Sequence, residues 1–79
     1  MDQINELLVL FFKSHMSSES FQLSKTAKQH VMDWIIDMEQ GKLTYLGLEA
    51  KLGLIPDKNV CFELDRFILA GYSFRTSSK

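Results

Sequence analysis

The chain is poor in the residues that staple, break or polarise a fold. Its one cysteine, Cys61, cannot close an internal disulfide, whereas a small secreted domain ordinarily depends on such bridges. A reducing, cytoplasmic setting is therefore expected. One proline and four glycines, with no repeat or low-complexity block, leave no linker that would divide 79 residues into two domains. Long apolar runs are missing too. The longest, 7–12, has six residues, against the roughly 20 that a membrane-spanning helix needs. The first residues include Asp2 and Glu6 and no basic stretch before a small-residue cleavage site, so no signal peptide is expected.

Neither sign of charge is in excess. Nine basic and ten acidic side chains leave a net charge of −1, while a small phosphate-binding domain usually carries a basic surplus. Near-neutrality also removes the mutual repulsion that keeps small domains apart, which favours association with a second copy or another protein.

What is present is apolar periodicity. The spacing predicts an all-α fold: a small compact bundle of four helices, one of them short, spanning 1–72 and followed by a flexible polar tail, 73–79. The first helix, 2–15, carries Ile4, Leu7, Leu8 and Phe11 at i, i+3, i+4, i+7, with Asp2 as its N-cap. The run 7–12 also fits a buried strand, but a lone strand would have nothing to pair with. The second helix begins within 17–24, sets Ala27, Val31, Trp34, Ile35 and Met38 on one face, and stops at Gly41. A short third helix starts with Thr44 as N-cap and Leu43 packed on Leu48, and is closed by Gly53 and Pro56. The fourth opens at Asp57 and aligns Val60, Leu64, Phe67 and Ile68 until Gly71. The expected core is Leu7, Leu8, Phe11, Val31, Trp34, Ile35, Leu48, Leu52, Leu64, Phe67 and Ile68. Short connections make neighbouring helices antiparallel.

Catalytic and metal chemistry find little to work with. His15, His30 and Cys61 have no ligand spacing, and no glycine-rich phosphate loop or nucleophile elbow occurs. Cys61 falls where a helix dipole favours a thiolate, yet beside Val60 and Phe62 it reads as a small core hydrophobe. No enzyme activity and no cofactor are expected. Asp33 and Asp37 lie one turn apart beside Trp34, and read as a solvated acidic patch.

Two features favour contact with another protein. The second helix has Lys25, Lys28 and His30 near its start and Asp33, Asp37 and Glu39 near its end, the reverse of what the helix macrodipole prefers; an antiparallel copy of the same helix would offset this, making a homodimer. Apolar residues also exceed what one side of a small bundle hides: Val9, Leu10, Phe12, Phe62, Leu69, Tyr72 and Phe74 fall off the main stripes. The function this implies is a non-catalytic regulator or inhibitor that docks on a partner protein, with Phe12, Trp34, Phe62 and Tyr72 as anchors, since aromatics carry most interface energy.

The alternative is a DNA-binding regulator. Thr44, Leu48, Ala50, Lys51, Leu52, Gly53 and Leu54 resemble the first helix and glycine turn of bacterial helix-turn-helix proteins. That resemblance implies a recognition helix offering Lys58, Asn59 and Arg66, with Lys51 beside them. The chain departs from the family at Glu49, where a small buried residue is usual, and at Val60, one place late; Glu63 and Asp65 would repel phosphates. In layout, residues 41–52 with their flanking helices are similar to small helical biofilm and stress connector proteins of enterobacteria. In size and helix content the chain is similar to bacteriocin immunity proteins and phage-encoded inhibitors, which cover a target surface.

Overall fold

The computed structural model describes residues 3–19 and 21–77, with side chains through Ser73. Among the described residues four α-helices follow one another: α1 (Gln3–His15), α2 (Lys25–Glu39), α3 (Leu48–Gly53) and α4 (Lys58–Ser77), with a 3-10 turn, Tyr45–Gly47, running directly into α3. No strand occurs among the described residues. The all-α bundle anticipated from the periodicity is the fold, and its ends follow local chemistry. Ser24 caps α2, its hydroxyl accepting from the Ala27 N–H at 3.2 Å. At the other end Gly41 takes φ +78°, and the N–H groups of Gly41 and Lys42 donate to the carbonyls of Met38 and Asp37, a closure that favours a residue without Cβ. Asp57 caps α4 by accepting from Asn59 N at 2.9 Å and Val60 N at 3.4 Å.

Helices α1, α2 and α4 pack on one another pairwise, and α3 leans on α4. Their shared core is aromatic at its centre. Phe67 of α4 stacks on Phe12 with ring centroids 5.3 Å apart, lies 5.2 Å from Phe11, and meets Phe21 edge-on at 5.1 Å. Because α1 faces both α2 and α4, it buries two sides instead of one stripe. Leu8, Val9, Phe11 and Phe12 are all buried, whereas Leu7, expected in the core, is only half-buried and Leu10 faces out.

Two other expectations change. Gly71 does not end the last helix: α4 continues to Ser77, so the tail expected from residue 73 is helical that far. Gly71 is there for close packing, because a Cβ at this position would stand 2.9 Å from Leu8 Cδ2 and 3.2 Å from Phe11 Cδ1. Thr44 occupies the N-cap position of the 3-10 turn without using its hydroxyl; the Tyr45 N–H donates instead to Asn5 Oδ1 on α1 at 2.9 Å. The expected N-cap Asp2, and the side chain of Phe74, lie outside the described residues.

Candidate protein-docking groove

Among the four aromatic anchors expected from the sequence, only Phe62 stands well exposed. Phe12 is fully buried in the Phe67 cluster and cannot meet a partner. Trp34 is 4% exposed, held in the core by its place beside Val31, Ile35 and Met38 on the inner face of α2. Tyr72 is half-buried, and its hydroxyl donates to the Tyr45 carbonyl at 3.3 Å, tying α4 to the 3-10 turn. Phe62 and Tyr72 belong to separate recesses, the first shared with Leu52, Lys58, Cys61 and Asp65, the second with Tyr45, Leu46 and Glu49. The four anchors therefore do not form one surface.

A different surface is assembled by the tertiary fold. Helices α2 and α3 do not pack against each other, and between α2 and the turn 54–57 lies an open groove of about 410 Å³, within the range of small binding clefts. Trp34 lines it, with Ile36 on the α2 side and Leu54, Ile55 and Pro56 on the other. Ile36 is 50% exposed and Leu54 77% exposed. Large apolar side chains left open beside an aromatic mark a contact surface more often than scattered single ones do.

The polar rim is uneven. His30, Asp33 and Asp37 all line the α2 wall, since positions three and four apart share a helix face. Lys51 faces them from α3. Asp33 accepts from Gln29 Nε2 at 3.3 Å in an exposed contact, and neither Asp33 nor Asp37 has an ion-pair partner among the described residues. The His30 and Trp34 rings lie tilted, 6.3 Å apart. No group of three His, Cys, Asp or Glu side chains able to hold a metal occurs among the described residues. Cys61 is half-buried, its thiol 3.6 Å from the Leu52 carbonyl.

The reversed charge of α2 has an internal explanation. At its start, the Ser24 N–H donates to Glu63 Oε1 of α4 at 2.7 Å, which brings a carboxylate to the positive end of the helix dipole. At its end, Lys13 of α1 pairs with Glu39 at 2.7 Å and brings a cation to the negative end. Neighbouring helices thus bring a compensating charge to each end of α2, while Asp33 and Asp37 stay outside any ion pair among the described residues. The DNA-contact candidates Lys51, Lys58, Asn59 and Arg66 are all exposed, but Lys51 lines the groove towards α2 while Lys58 lines the Phe62 recess. Asn59 lends its N–H to the Asp57 cap, and Asp65 shares the recess with Lys58.

The groove's apolar half carries a sequence signal: Leu54, Ile55 and Pro56 are three apolar residues in a turn, where polar ones are usual. Ile36 and the nearness of α2 to that turn had none, because only long-range packing brings them together. No protein-family model, curated protein or solved structure matches the chain. No helix among the described residues is long and apolar enough to cross a membrane.

Proposed function

We propose that this protein is a non-catalytic regulator or inhibitor that works by docking on another protein, and that the groove between α2 and the turn 54–57 is its docking surface. The observation that carries the reading is the pair of solvent-facing aliphatic side chains, Ile36 and Leu54, set on either side of the cleft that Trp34 lines. Covering such side chains stabilises a complex at about 25 cal/mol per Å² of apolar surface removed from water. Phe62, with Leu69 two turns further along α4, offers a second exposed apolar stripe that would extend the contact.

The test is affinity capture from the native cell, with the identified partner then purified and titrated against the isolated protein. An Ile36→Asp/Leu54→Asp variant should lose that purified complex while its far-ultraviolet dichroism stays helical. Unchanged affinity would remove the groove from the interaction. The competing DNA reading draws on the exposed Lys58, Asn59 and Arg66 of α4; it requires duplex binding at low salt that weakens steeply as salt rises, and no binding at low salt eliminates it.

A further inference from the structure

Resting on the docking reading, we infer that the groove takes a segment of a partner protein in which a basic side chain, arginine or lysine, sits next to apolar ones. Two independent features point to this occupant. First, the charge on the walls is unbalanced. Asp33 and Asp37 are one turn apart on the α2 wall, neither is in an ion pair among the described residues, and Lys51 across the groove is the single lysine or arginine lining it. Two neighbouring carboxylates repel each other across one helical turn, and a guanidinium placed between them satisfies both with charge-assisted hydrogen bonds. An acidic peptide or a phosphate would meet the same pair unfavourably.

Secondly, the remaining lining is apolar. Trp34, Ile36, Leu54, Ile55 and Pro56 give a basic residue's neighbours somewhere to bury, which a purely ionic ligand would leave wet. Lys51 then faces the opposite edge of the segment and sets its direction, preferring an acidic or carbonyl-rich end there.

Trp34 is the only tryptophan in the chain, so its emission reports on this groove directly. The experiment titrates the protein with a synthetic amphipathic peptide built from leucine, alanine and arginine. A twin with glutamate in place of arginine and a twin with serine in place of leucine are titrated alongside. The arginine peptide should give a saturable change in Trp34 emission, and both twins should not. Asp33→Asn/Asp37→Asn should weaken the arginine peptide about tenfold, the loss of roughly one charge-assisted contact, while Lys51→Glu should strengthen it. Both variants change groove side chains that take part in no ion pair, and dichroism confirms that they fold. Equal response to the arginine and glutamate peptides, or full binding to the Asp33→Asn/Asp37→Asn variant, overturns the basic occupant. In that case the docking reading stands or falls separately, on whether Ile36→Asp/Leu54→Asp releases the purified partner.

Discussion

Asn5 is the one buried polar side chain of the described core, at 3% exposure. Its Oδ1 accepts from Tyr45 N at 2.9 Å and its Nδ2 donates to the Leu43 carbonyl at 3.4 Å, so one amide on α1 holds the chain on both sides of Thr44, just before the turn that leads into α3. Without it, a backbone donor and acceptor are stranded away from water. Asn5→Ala is expected to lower stability by about 1–3 kcal/mol, read as a lower urea midpoint followed through Trp34 fluorescence. A fully wild-type midpoint would mean that water replaces the amide. Gly71 illustrates the opposite constraint at this scale, since what matters there is the absence of atoms, which lets α4 close onto Leu8 and Phe11.

At the scale of the element, α2 shows how far a helix can depart from its own electrostatic preferences when its neighbours compensate. It has no acidic residue in its first turn and no basic residue in its last. Glu63 and Lys13 take those places from α4 and α1. The two are not equivalent. Glu63 meets the Ser24 N–H in a partly buried contact, whereas Lys13 and Glu39 are 51% and 44% exposed and screened by solvent. Glu63→Ala should therefore destabilise by about 1–3 kcal/mol, with Glu63→Gln restoring part of the loss because an amide oxygen still accepts. Lys13→Ala should cost less than about 1 kcal/mol. Thermal melts of the three variants decide the order; equal losses would show that the Ser24 contact contributes no more than a surface pair.

The whole molecule measures 32 × 26 × 16 Å with a radius of gyration of 11.6 Å, close to the roughly 2.2·N^0.38 Å of a compact chain of this length. Its short dimension leaves both broad sides near the surface, which is why apolar residues such as Leu46, Leu54 and Phe62 remain outside the core. Self-association is the remaining question at this scale. With each end of α2 met by a charge from a neighbouring helix, a symmetric α2 pairing has only Met32 and Ile36 as exposed apolar contacts, at 47% and 50%. Two side chains fall well short of the roughly 800 Å² per partner found in stable complexes. Sedimentation velocity should show a monomer that associates weakly as concentration rises, and Met32→Glu/Ile36→Glu should abolish what association there is. A tight dimer unaffected by that variant would place the contact elsewhere, the Phe62 and Leu69 stripe being next.

The residues alone determined the helices and most of their ends, because capping at Ser24 and Asp57, the left-handed turn at Gly41 and the three-to-four spacing of Val31, Trp34 and Ile35 are local chemistry, complete within a few residues. They also marked most of the core. What only the tertiary structure decided was which sides of α1 and α4 face inward. Phe12 and Val9 became core because α1 is covered twice over, and Gly71 became a packing site instead of a stop because α1 crosses close to it. The groove belongs to the same category. Asp33, Trp34 and Asp37 stand within one stretch of sequence, but the cleft they border exists only because residues 54–57 fold back opposite them, and periodicity within one segment carries no information about what another segment places across from it.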